Sequence, residues 1–130
     1  MNDYKNKITS LNLKSKPIFD IEDHLKYTKD WRGQYNGDAI AILKPHDKYE
    51  VSKILKFAND NEISIVPQGG NTSLCGGATP LKNSFSIIIS TEKMNNIISI
   101  DKESMTITLE PGVILSIIHD QVEKNDLFFP

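Results

Sequence analysis

One cysteine, one tryptophan and one arginine stand in a chain of 130 residues, and each scarcity closes off a class of protein. A lone Cys75 cannot staple a fold with internal disulfides, and no Cys/His spacing suits a zinc site, so stability has to come from buried apolar surface. Arg32 is the only arginine among 15 cationic residues, the lysines are scattered singly, and the formal net charge is −2. Such a surface offers no basic face to nucleic acid or an anionic membrane. No run approaches the ~18 to 20 apolar residues of a membrane span, and Met1-Asn2-Asp3-Tyr4-Lys5 lacks the apolar segment of a secretory signal. The expected setting is a reducing, cytoplasmic one, where Asn71-Thr72-Ser73 does not serve as a glycosylation acceptor.

The remaining composition, 38% hydrophobic and 25% charged, suits one globular domain. Residues 1–20 are polar and without sustained periodicity, which predicts a mobile arm ahead of a domain over 21–130. Leu25, Tyr27, Trp31 and Tyr35 follow at near-helical spacing and predict a helix or turn in which Trp31 is a hydrophobic anchor. Ala39–Leu43, closed by Lys44-Pro45, reads as a buried strand. Asp47 and Glu50 then form a capping box before the stripe Val51, Ile54, Leu55 and Ala58. Ile63–Val66 and Phe85–Ile89 are two further strands, and Ile97–Ile100 with Met105–Leu109 predicts a hairpin across Asp101-Lys102-Glu103-Ser104. Pro111-Gly112 breaks the chain before a helix whose Ile114, Ile117, Ile118 and Val122 are expected to face the core. The class is α+β, a small mixed sheet with flanking helices.

The chemistry concentrates in Pro67-Gln68-Gly69-Gly70-Asn71-Thr72-Ser73-Leu74-Cys75-Gly76-Gly77, directly after the strand Ile63–Val66. Glycine pairs around short hydroxyl and amide side chains let main-chain N–H groups converge on an anion. A dinucleotide fingerprint needs G-x-G-x-x-G opening a helix, and a Walker A loop ends in Gly-Lys-Ser/Thr. Neither spacing is present, and Pro80 disfavours helical geometry just after the loop. Two readings follow from the residues: a diphosphate cradle of main-chain amides, or a glycine-rich surface turn. Cys75 reads as a packing residue in preference to a reactive thiol, with no His or Lys beside it in sequence to lower its pKa. His24, His46 and His119 stand singly and read as surface or structural residues, as do Glu110 and Asp120.

Taken with Asp30-Trp31-Arg32-Gly33, Tyr35, Gly37, Glu50-Val51, Lys93-Met94-Asn95, Glu110-Pro111-Gly112 and Leu127-Phe128-Phe129-Pro130, the loop resembles the FAD-binding domain of the vanillyl-alcohol oxidase and p-cresol methylhydroxylase (PCMH) superfamily. The branch it is most similar to is that of FAD-linked D-2-hydroxyacid dehydrogenases. Ser73 and Cys75 depart from the glycine and the small aliphatic residue usual there. The resemblance implies that 21–130 is the N-terminal half of a PCMH-type domain, cut at Pro130. It further implies FAD held by Pro67, Gln68, Gly69, Gly70, Asn71, Thr72, Ser73, Gly76 and Gly77, with Gln68 able to add its side-chain amide. Asn71 stands where covalently flavinylated members carry histidine, so non-covalent FAD is expected.

By the same resemblance the full-length protein would oxidise a D-2-hydroxy acid (2-hydroxyglutarate, lactate or glycolate class) to the 2-oxo acid by hydride transfer to FAD, and pass electrons to a separate acceptor. No catalytic residue and no metal ligand is assigned within these residues, and the substrate would be gripped beyond Pro130. Other superfamily chemistries stay open, a sugar or alcohol oxidase or an alkyl-glycerone-phosphate synthase, as does a non-catalytic phosphate-binding module.

Overall fold

A computed structural model describes residues 2–130. Its centre is three parallel strands, β1 (Ala41–Leu43), β2 (Ser64–Gln68) and β3 (Ser86–Ser90), in the order β1-β3-β2. The apolar runs in β1 and β3 are unbroken because this sheet is covered on both faces, the usual condition of parallel sheets. Side chains alternate between the faces. Ala41, Leu43, Ile87 and Ile89 point into a core with Ile54, Ala58 and Ile63, whereas Ile42 and Ile88 meet Tyr27 on the other side. Register aligns Ile42 with Ile88 and Val66 with Ile88, so β3 is the buried middle strand. Pro67 falls on β2, an outer strand of the three, where its missing N–H removes no ladder bond from the sheet interior.

The helix that joins β1 to β2, α3 (Lys48–Asp60), starts at Asp47, whose carboxylate accepts the N–H groups of Tyr49 and Glu50 at 3.0 Å each. Glu50 does not close the expected capping box. Its carboxylate accepts instead from the N–H of His46 (2.8 Å) and the N–H of Lys14 (2.6 Å). Of the predicted stripe, Ile54 and Ala58 are buried and Leu55 is exposed.

The Lys14 bond belongs to the main departure from expectation. Residues 2–20, read in sequence as part of a mobile arm, are built into the domain; Met1 lies outside the described residues. Helix α1 (Asn2–Thr9) carries Ile8, 1% exposed, into the sheet core, and Tyr4, Leu11, Leu13 and Phe19 pack around it. Ile18 adds an antiparallel bridge to Ile42. These apolar residues are too irregularly spaced to show a period, yet burying one isoleucine side chain is worth roughly 1.5 to 3 kcal/mol. Several such side chains together with the Glu50 bond offset the ordering of a polar segment.

Helix α2 (Ile21–Thr28) covers the second face through Tyr27. Beyond β3 the chain forms a separate antiparallel hairpin, β4 (Ile97–Asp101) and β5 (Thr106–Leu109), whose turn is fixed by the Asp101 carboxylate accepting from the N–H groups of Glu103 and Ser104. The α+β mixture is thus divided between a parallel and an antiparallel sheet. Helix α4 (Leu115–Glu123) buries Ile118 and Val122, while Ile114 and Ile117, also expected in the core, are exposed. A helix against a two-stranded sheet covers only a narrow stripe.

Because Glu50 alone satisfies the N–H groups of His46 and Lys14, Glu50→Ala is expected to lower the unfolding free energy by about 1–3 kcal/mol. Urea denaturation measures this, and an unchanged midpoint would show that the N-terminal segment is held without the carboxylate.

Candidate functional site

Parallel strands all leave a sheet at one edge, and that edge is where ligands bind in open α/β sheets. Here β1 runs into Lys44, β2 into Gly69 and β3 into Thr91-Glu92. Lys44 Nζ lies 2.8 Å from Glu92 Oε1, with the Lys44 side chain only 15% exposed. The Tyr27 and Ser90 hydroxyls donate to Glu92 Oε2 at 3.1 and 3.3 Å. Burial works against both charges. The Glu92 carboxylate and the Tyr27 hydroxyl nevertheless raise the Lys44 pKa, and the ammonium and two hydroxyls hold Glu92 below the ordinary carboxylate range.

The glycine-rich segment that follows Gln68 forms no helix or strand until β3. Among the described residues, the N–H groups of Gly69, Gly70, Asn71, Thr72 and Ser73 donate to no protein acceptor, nor do those of Gly76 and Gly77. The exceptions nearby are Cys75 N–H, on Ser73 Oγ at 3.3 Å, and Thr79 N–H, on the Gly76 carbonyl at 3.0 Å. Asn71 has φ +55° and Gly76 φ +69°, the left-handed turns that let successive amides form an anion-binding concavity.

The glycines divide by purpose. A Cβ on Gly76 would strike the Tyr35 ring at 2.7–2.9 Å, so both φ and packing demand glycine there. At Gly69 the nearest atom to such a Cβ is Thr91 Oγ1 at 3.9 Å, at Gly70 it is Thr72 Cγ2 at 3.7 Å, and at Gly77 nothing lies within 4 Å. The protein itself does not require glycine at 69, 70 or 77. An exposed run of free amides that a Cβ would partly cover fits the diphosphate of a nucleotide, which needs close main-chain approach.

The Gln68 side-chain amide, expected at the ligand, turns inward instead, and the Asn71 side chain is engaged with the protein as well. Gln68 is 2% exposed, and its Nε2 donates to the carbonyls of Tyr27 and Ala78 at 2.8 Å each. It is therefore spent on tying the loop's two limbs to α2. Asn71 Nδ2 donates to the Lys29 carbonyl at 2.8 Å. Both acceptors on that side are carbonyls at the end of α2.

The segment after α2 is a hook that sequence reasoning did not assign to the site. Asp30 Oδ1 accepts the Tyr35 N–H at 2.7 Å, Asp30 N–H donates to the Tyr35 carbonyl, and Gly33 N–H donates to the Asp30 carbonyl. Gly37 lies against the Pro80 carbonyl so closely that a Cβ would overlap it. Asp30 with Gly33 three residues on is an ordinary turn signal that could have revealed the hook. Trp31, expected as a buried anchor, is 66% exposed, because the reversal carries the tip outward. The Arg32 guanidinium lies 5.6 Å from its ring centroid. Cys75, expected to pack, is also exposed, since the loop stands proud of the sheet edge.

The histidines take no part in the loop. His24 Nε2 pairs with the Ile18 carbonyl and His46 Nε2 with Ser15 Oγ, while His119 lies near Phe129. Glu110 accepts from both the N–H and the side-chain amide of Asn96. A groove of about 930 Å³ between α1, α2 and residues 36–40 contains no loop residue; it lies where the strands begin, away from the free amides.

The lowered Glu92 pKa makes a stabilising contribution that is present above the ordinary glutamate pKa and lost as pH falls through the depressed folded-state pKa. The raised Lys44 pKa keeps its share until pH rises past the normal lysine range. Glu92→Gln is expected to flatten the acid limb of melting temperature against pH; an acid limb as steep as the wild type's would place the sensitivity elsewhere.

Comparison with known proteins follows the same residues. The family model described as "FAD binding domain" matches residues 39–130. A D-2-hydroxyglutarate–pyruvate transhydrogenase of Saccharomyces cerevisiae is 35% identical over 84% of this chain and 22% of its own length. A glycolate oxidase subunit of Bacillus subtilis is 36% identical over 82% of the chain and 22% of its own. The chain thus spans about a fifth of these relatives. The structure of p-cresol methylhydroxylase with substrate bound superposes with a TM-score of 0.80 at 26% identity, over 97% of this chain and 25% of that one. With the matched region running through the parallel sheet, the free-amide loop and the hairpin, the chain belongs to the FAD-binding domain family.

Proposed function

We propose that this chain supplies the diphosphate-binding part of an FAD-dependent enzyme that oxidises a D-2-hydroxy acid, of the 2-hydroxyglutarate, lactate or glycolate class, to the 2-oxo acid. The observation that carries the reading is the row of N–H groups from Gly69 to Ser73 with no protein acceptor among the described residues, on a chain whose similar relatives are named for 2-hydroxyglutarate and glycolate. FAD supplies the hydride-accepting chemistry.

The residues here bind and place it. Main-chain N–H groups of Gly69, Gly70, Asn71, Thr72 and Ser73 would donate to the diphosphate oxygens, and the Thr72 hydroxyl can add a donor. Pro67 sets the approach of the chain from β2, while Gly76 and Gly77 shape the return. FAD is held without a covalent bond, since Asn71 brings no nucleophile and its amide is engaged with Lys29. None of these residues is assigned as catalytic base. Residues 2–130, with the N-terminal segment packed into the sheet core, form the N-terminal part of a larger flavin domain, and the substrate carboxylate and the separate electron acceptor are handled by chain outside it. The setting is cytoplasmic, with no nucleic acid as partner; no helix of the described residues is long and apolar enough to cross a membrane.

Gly70→Val tests the loop directly, because a Cβ at this position meets only Thr72 Cγ2, at an ordinary 3.7 Å. In the full-length protein that contains this segment, flavin retained through gel filtration and released by acid is expected for the wild type and lost in the variant, with stability changed by no more than about 0.5 kcal/mol. Equal flavin content in the two proteins would remove the diphosphate from this loop.

A further inference from the structure

The free N–H groups of residues 69–73 pose a problem that the loop cannot solve by itself. A glycine pair in water samples many conformations, and nothing within Gly69-Gly70 holds those amides in one arrangement. The nearest organised structure is the end of α2. A helix leaves its last carbonyls without partners there, and they carry partial negative charge, which is unfavourable beside an anion.

Three such carbonyls are answered by donors from outside the helix. Gly37 N–H takes that of Thr28. The other two are taken by the loop's own side chains: Gln68 Nε2 on Tyr27 and Asn71 Nδ2 on Lys29, both at 2.8 Å. These two amides bracket Gly69-Gly70, and Gln68 also reaches the Ala78 carbonyl on the returning limb at 2.8 Å.

From this we propose that Gln68 and Asn71 are positioning residues: by capping the carbonyl end of α2 they fix both ends of the Gly69-Gly70 pair, and neither side chain is itself a ligand of the diphosphate. The inference rests on the flavin reading above for the identity of the ligand, but the clamp acts before any ligand arrives. It does two things. The loop's conformational freedom is removed in advance, so that binding does not have to supply that ordering. The NH₂ groups also give donors to the last carbonyls of α2, which reduces the negative charge that the helix end would present to a phosphate. Asn71 suits the position because asparagine tolerates the left-handed φ of +55° that turns its N–H along the row.

Asn71→Gly accepts the same φ and removes the amide at the cost of added backbone freedom, so it is read together with a second variant that adds none. Asn71→Asp keeps the shape and replaces the donor by an acceptor. Cys75, the only thiol in the chain and exposed in the same loop, reports the ligand-free state through its rate of modification by Ellman's reagent. Calorimetric titration with FAD reports affinity.

Both variants are expected to label Cys75 several-fold faster than the wild type without ligand, and to bind FAD about fivefold more weakly, the scale of one neutral hydrogen bond. Hydrogen exchange in β1 and β3 should stay unchanged, which a general loss of structure would not allow. Weakened FAD binding with wild-type labelling would make the Asn71 amide a direct ligand and overturn the proposal, as would unchanged affinity in Asn71→Gly. The flavin reading fails separately: a wild-type chain that takes up no FAD, yet whose loop is loosened by both variants, keeps the clamp and loses the cofactor.

Discussion

Burial of the β1-β3-β2 sheet on both faces is the constraint on which the rest depends. It requires the continuous apolar runs of β1 and β3, and it recruits α1 and α3 to one face and α2 to the other. Because the strands are parallel, it also delivers Lys44, Gly69 and Thr91-Glu92 to a single edge. Sites form at such edges because loops from separate strands meet there while the sheet behind them stays rigid. The Lys44–Glu92 pair with Tyr27 and Ser90 ties two of those strand ends together and leaves the third, after Gln68, to carry the amide row.

The glycines show how fold and function share one short segment. Gly37, Gly76 and Gly112 are required by their own protein, since a Cβ would meet the Pro80 carbonyl, the Tyr35 ring or the carbonyls of Thr91 and Met94. Gly69, Gly70 and Gly77 are not. A glycine that its own fold does not need, in a row of unpaired N–H groups, points outward to something that must come close. That arrangement is what a phosphate cradle requires, and the family match over residues 39–130 is consistent with it.

Asp47 as helix cap, the hairpin across Asp101–Ser104 and the order of strands and helices could all be read along the chain, because each depends on neighbours within a few residues. The glycine loop was legible for the same reason. The N-terminal segment was misread: Ile8 and Phe19 find their partners on α3 and the sheet, and no period advertises a contact of that range. Trp31 and Cys75 were misplaced because hydrophobic character predicts burial on average, whereas the Asp30 hook and the projecting loop put these particular side chains in solvent.

The sequence alone determined which segments after residue 20 are strands and helices, where the amide row lies, and that no basic surface or disulfide framework enters, all consequences of local chemistry and composition. Tertiary structure alone decided the use of the polar side chains. Gln68 and Asn71 carry the same amide whether they face a phosphate or a helix end, and only the arrival of α2 beside the loop commits them to its carbonyls. Glu50 likewise holds Lys14 in place of closing a capping box, because a hydrogen-bonding group takes the nearest unsatisfied partner that folding brings to it.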